Sequence, residues 1–101
     1  MTLITKLLRP QEWAAFQAAG SFGGSADDLR DGYIHLSAAE HVGSTAAKWF
    51  AGVEGLMAVR FDPAAFGDDL RWEPARGGIL FPHVYRPLRI DEVVDAEPFV
   101  G

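Results

Sequence analysis

The chain contains no cysteine, which removes disulfides, thiolate catalysis and thiolate metal sites together. Reducing compartments tolerate such chains, and a cytoplasmic location is the expectation. No apolar run approaches the roughly 20 residues of a membrane helix, so no membrane partner is expected. The opening, MTLITKLLRP, has neither a long apolar core nor a small-residue cleavage site and does not read as a signal peptide. Lysine is scarce, two residues against seven arginines, and the acids outnumber both for a net charge of −5. That balance disfavours nucleic acid as a partner. Several motifs are also missing. There is no G-x-G-x-x-G, no G-x-S-x-G elbow and no H-E-x-x-H. The three histidines have no ligand-like local spacing, so no metal is expected.

What is present reads as one domain over residues 1–101, with 49% hydrophobic and 23% charged residues and a real but thin core. Thr2 to Leu8 reads as a strand. Pro10 suits the first turn of a helix running to Ala19, with Gly20 as its stop. Gly20 to Gly32 is rich in Gly, Ser and Asp and reads as a long loop, of the kind that forms lids and binding loops. Tyr33 to Leu36 is a strand. Ser37 and Glu40 then have the spacing of a capping box, and a helix follows through Phe50, ended by Gly52. Gly55 to Phe61, Leu70 to Glu73 and the closing stretch from Ile90 are further strands, with a turn or short helix at Ala64 to Phe66. Ile79 to Tyr85 is extended, but Pro82 marks it as an edge or irregular strand. The expected fold class is α+β, with about two helices.

Alternation along the strands sorts their side chains. Ile34 and Leu36 share an apolar face, leaving Tyr33, His35 and Ser37 on the other. Arg71 and Glu73 share a face, as do His83 and Tyr85. Three polar faces in so short a chain are either the wet sides of antiparallel strands or the walls of one cleft. Aromatic, imidazole, carboxylate and guanidinium groups together fit a cleft better. Arg71, Arg76, Arg86 and Arg89 lie around the single acid Glu73, and guanidinium matches phosphate or carboxylate with paired hydrogen bonds. The plainer alternative is arginines paired with surface acids. For His35 the plainer alternative is a core histidine with one hydrogen-bond partner. Ser37 already has a structural role as a helix cap.

The stretches DGYIHLSAAEHV and FPHVYRPLRIDEVV, with Trp13 and Trp72-Glu73 between and before them, resemble a small bacterial family, domain of unknown function 952. Its pattern runs G-[FY]-I-H-x-S, then W-E, then F-P-H-[IV]-Y-G-P-L. Arg86 stands where that pattern has glycine. More distantly, His35-Leu36-Ser37, the helix through Phe50 and the strand Leu56 to Asp62 resemble the ADP-ribosyltransferase fold of the tRNA 2′-phosphotransferase type. The first strand of that fold offers a histidine, and Ile4-Thr5-Lys6-Leu7 has none. The resemblance implies two short, mainly antiparallel sheets with a cleft between them, NAD as a substrate, with no certain cofactor, and transfer or cleavage at its glycosidic bond. Glu73, His35 and His83 would be catalytic, and Tyr33, Ser37, Arg71, Tyr85 and Arg86 would bind ligand. The alternative is a non-catalytic module binding a nucleotide or phosphorylated small molecule. A third reading is an interaction or structural protein with packed histidines.

Overall fold

The computed structural model describes residues 2–100, without the side chain of Arg76. Its first strand, β1 (Ile4–Leu8), is buried along its whole length. Helix α1 (Pro10–Ala19) follows, and its bounds are those that Pro10 and Gly20 indicate. The Arg9 amide donates to Glu12 Oε1 at 2.9 Å, closing the helix start. Gly20 takes φ 79°, a left-handed conformation that glycine adopts without steric cost, and its N–H caps Phe16 O.

The segment from Gly20 to Gly32 is not a loop. It holds β2 (Ser21–Phe22) and α2 (Ala26–Asp31). Ser25 and Asp28 form the capping box that starts α2, an S-x-x-D spacing present in the sequence. The helix escaped the periodicity argument because Asp28 is its single buried residue, so it has no apolar stripe. Next come β3 (Ile34–His35) and β4 (Ser37–Ala38), a 3-10 turn at Ala39–His41, and α3 (Val42–Trp49). Ser37 is therefore not a helix cap. It lies within a strand, opposite Thr5 of β1, and its hydroxyl donates to Thr45 Oγ1 at 3.2 Å. The helix starts later because Ser37–Ala38 first extends the pairing with β1.

The remaining strands are β5 (Met57–Phe61), β6 (Leu70–Pro74), β7 (Leu80–Val84), β8 (Leu88–Arg89) and β9 (Val93–Pro98). A 3-10 segment, Pro63–Asp69, fills the space before β6. Among the described residues three antiparallel sheets result, not two: β4-β1-β5-β9, β2-β8 and β3-β7-β6. Three α-helices are present among the described residues, where two were expected.

Pro82 sits in β7, the central strand of its sheet, and is fully buried, contrary to the edge assignment. The sheet tolerates it because a residue's N–H and C=O point to the same neighbour in an antiparallel ladder. Pro82 O accepts from Leu36 N at 3.0 Å, so the missing N–H faces the point where β3 has just ended.

The main core gathers Ile4 and Leu8 of β1, Phe16, Phe22, Ile34, Leu36, Phe61, Phe66 and Val84. A smaller one packs Leu7 and Ala58 against Ala46 of α3. Leu36 joins the two larger sheets: His35 before it pairs with β7, and Ser37 after it pairs with β1. No helix among the described residues is long and apolar enough to cross a membrane.

Candidate functional site

The register of the three-stranded sheet sets His35 opposite His83, and His83 opposite Arg71. Directly opposed residues share a face, so these three side chains form one row. Glu73 lies opposite Phe81 beside it. The imidazole centroids of His35 and His83 are 5.3 Å apart. Tyr33 packs over both, at 4.8 Å and 4.2 Å, and against Tyr85 at 5.2 Å. The Arg71 guanidinium lies 5.1 Å from the Tyr85 ring and makes no ion pair among the described residues.

The two histidines are held differently. His83 is buried, with Nδ1 2.8 Å from Glu73 Oε1. That oxygen also accepts from Tyr85 OH at 2.6 Å. These two donors, Tyr85 first, hold the Glu73 carboxyl below its usual range. An ionised carboxylate only accepts, so Nδ1 carries the proton and Nε2 of the neutral ring keeps its lone pair. Nε2 has no partner among the described residues. Burial pushes the His83 imidazole down, against the pull of Glu73, so the neutral ring is favoured.

His35 has both nitrogens engaged: Nδ1 with Asp28 Oδ1 at 2.7 Å and Nε2 with Asp31 Oδ2 at 3.0 Å. Asp28 is the centre of a buried cluster. It accepts from Lys6 Nζ at 2.9 Å, from the Ser25 amide at 2.9 Å and from the His35 amide at 3.0 Å. Burial raises the Asp28 carboxyl, but His35 and Lys6 outweigh it and hold the group well below the carboxylate range. Lys6 also donates to His35 O at 2.9 Å. Neither Lys6 nor Asp28 stood among the sequence candidates. The S-x-x-D cap was the available signal for Asp28. A lysine inside an otherwise apolar strand was the signal for Lys6, since a buried cation demands a partner.

A cleft of about 230 Å³ opens beside these groups. α2 contributes Asp27, Asp28, Arg30 and Asp31 to its lining, β1 contributes Thr5 and Lys6, and α3 contributes Thr45 and Trp49. His35, Ser37, Phe50, Phe81 and His83 also line it. Among the sequence candidates, His35, Ser37 and His83 line the cleft. Tyr33, Arg71, Glu73 and Tyr85 stand behind or beside the histidines. Arg86 is elsewhere: it bonds Glu92 Oε2 at 2.5 Å and Asp69 Oδ2 at 3.2 Å, with its guanidinium 5.0 Å from the Phe66 ring. Arg89 pairs with Asp91. The side chain of Arg76 lies outside the described residues.

The sequence profile of DUF952, proteins of unknown function, matches residues 7–96. The chain belongs to the DUF952 family. The crystal structure of protein CC0527 from Caulobacter crescentus is similar at 50% identity, with a TM-score of 0.93 over 96% of this chain and 85% of that one. The solution NMR structure of CC0527 is similar at 51% identity, with a TM-score of 0.87 over 97% of this chain and 84% of that one. No curated protein matches.

In this DUF952 chain Arg86 is a structural tie between Glu92, Asp69 and the carbonyl of Ala65. Arg86→Ala should lower stability by about 1 kcal/mol, a charge-assisted pair discounted for its partial exposure. Thermal melting reads this, and the chemical shifts of His35 and His83 should stay as in the parent. Stability should also depend on acid. Folding lowers the proton affinity of His83 and Asp28, so the unfolded chain binds protons more tightly. Their contributions are complete at neutral pH. That of His83 declines as pH falls below its ordinary value of 6.5, and that of Asp28 as pH falls below 3.8. Urea unfolding between pH 8 and 3 should show both declines; stability rising on acidification through pH 6.5 would contradict the His83 environment.

Proposed function

We propose that this cleft is an active site in which neutral His83, oriented by Glu73, takes or gives a proton at Nε2 on a bound small molecule. One observation carries the reading. A buried imidazole is tied at Nδ1 to a carboxylate while its other nitrogen, beside a cleft, has no partner among the described residues, the arrangement of an oriented general base. Residues 1–101 act as one domain in this reading.

The ADP-ribosyltransferase resemblance gives the reading a substrate: NAD or a related nucleotide, with transfer or cleavage at the N-glycosidic bond. Glu73 would stabilise positive charge developing on the ribose, directly or through His83. The cleft's size bears on how such a molecule sits. About 230 Å³ is smaller than the roughly 300–1,000 Å³ of ordinary ligand pockets, so it takes one nucleoside-sized part. Phosphates then lie outside. Lys6, Arg30 and Arg86 are already paired with carboxylates, whereas Arg71, directly opposite His83 in the register, makes no ion pair among the described residues and is the proposed anion contact. A bacterial cytoplasm supplies such nucleotides.

The aromatic lining, Trp49, Phe50 and Phe81, favours ring binding whether or not a bond is broken, and supports the alternative of a non-catalytic nucleotide-binding module. Incubating the full chain with NAD and with nucleosides, and following nicotinamide or base release by chromatography, separates the two. Release above the buffer control is expected. A ligand that raises the melting temperature without being consumed would establish the binding module, and neither effect would end both readings.

A further inference from the structure

The wall of the cleft formed by α2 is attached to the body of the protein in an unusual way. Helices are normally held by an apolar face. α2 has none: Leu29 is 70% exposed, and the helix's single buried residue is a carboxylate, Asp28. Beyond its own cap, the Asp28 side chain's ties among the described residues run to Lys6 and His35. Asp31, at the last position of the helix, adds one bond to His35 Nε2. Glycines with positive φ flank the element, Gly24 at 127° and Gly32 at 84°. The side chains anchored in the main core, Phe22 and Ile34, lie outside both glycines.

We infer that α2 is a lid over the cleft, turning about Gly24 and Gly32 and latched by Asp28 on Lys6 and His35. Opening exposes little apolar surface, because little is buried there. It breaks charge-assisted hydrogen bonds whose partners water then solvates, so its free energy is a fraction of that for global unfolding. His35 is part of the latch and stands beside His83, so a molecule that reorganises His35 also bears on the lid. Lid motion rests on the cleft being a site, but not on any reaction occurring there.

Two measurements on the full chain test the lid. Native-state hydrogen exchange reads the amides of Leu29 and Gly32, which donate to Ser25 O and Asp28 O within and at the end of α2. They should exchange at least about tenfold faster than the Val59 amide of β5, and with little dependence on added urea. Diethyl pyrocarbonate, which modifies accessible imidazole nitrogens, should reach His83 at a rate that follows this opening, with half-buried His41 as the internal reference. In Asp28→Asn, α2 exchange and His83 labelling should rise together, by about tenfold, the weight of one charge-assisted hydrogen bond. Exchange of the α2 amides only along with Val59, in the parent alone, would overturn the proposal, and that result does not require the variant to fold. Faster α2 exchange with unchanged His83 labelling would overturn it equally. Neither readout uses a ligand or turnover, so failure of the acid–base reading leaves the lid standing, and loss of the lid leaves His83 and Glu73 untouched.

Discussion

Leu36→Ala is expected to destabilise the protein by about 2–5 kcal/mol, the range for removing a buried leucine side chain from a packed core. For a domain whose whole stability is of order 5–15 kcal/mol, that is a large share. Leu36 is 2% exposed and packs in the main core where the chain passes from one sheet to the other. Its position makes the effect more than a cavity. The residue before it supplies an imidazole to the cleft and the residue after it supplies a hydroxyl, and the two pair with different sheets. Truncation removes the buried side chain that packs in the main core at this junction. Urea denaturation measures the loss, and nuclear Overhauser contacts between Tyr33 and His83 should weaken with it. A variant within about 0.5 kcal/mol of the parent would mean that the junction is held by backbone pairing alone.

His83→Gln is expected to leave the fold in place and to abolish proton transfer. Glutamine retains an amide able to donate to Glu73 in place of Nδ1, so the buried partner stays satisfied and the stability change should be about 1 kcal/mol. It has no titratable nitrogen, so turnover of any substrate identified for the parent should fall by roughly 10²–10⁴, the usual weight of a positioned general acid or base. Glu73→Gln should give a smaller loss together with a shifted acid limb in the pH–rate profile, because it alters the orientation and basicity of His83 rather than removing it. Equal turnover by parent and His83→Gln would remove His83 from the reaction.

Much of the site was legible because strand alternation is a strong constraint. Placing Tyr33 and His35 on one face, and His83 and Tyr85 on another, needed only a period of two, and the register then set the two faces side by side. α1 was legible for a different reason: Pro10 and Gly20 are chain punctuation with local steric causes. What stayed hidden depended on distant partners. α2 buries no apolar side chain, and its one buried group makes sense only beside Lys6, 22 residues earlier in the chain. Ser37 followed its strand partner Thr5 in preference to a local cap, a case of long-range pairing overriding a short motif. Pro82 was assigned to an edge because the rule concerns missing donors, and the sequence does not say that the neighbouring strand ends there. The arginine cluster suggests Arg86 for the cleft, whereas its acids, Asp69 and Glu92, hold it outside the cleft lining.

The passage of the chain between sheets also orders events during synthesis. His35 emerges from the ribosome 48 residues before its partner (83 less 35), β1 waits for β5, and β5 waits for β9. At about 5–20 residues per second, the first imidazole is exposed for several seconds before the strand that positions it exists. Pairings of such long sequence separation must close large loops before any contact rewards them. The cleft is therefore among the last features to form, and a nascent chain halted before β7 carries the helices and β1 but no site.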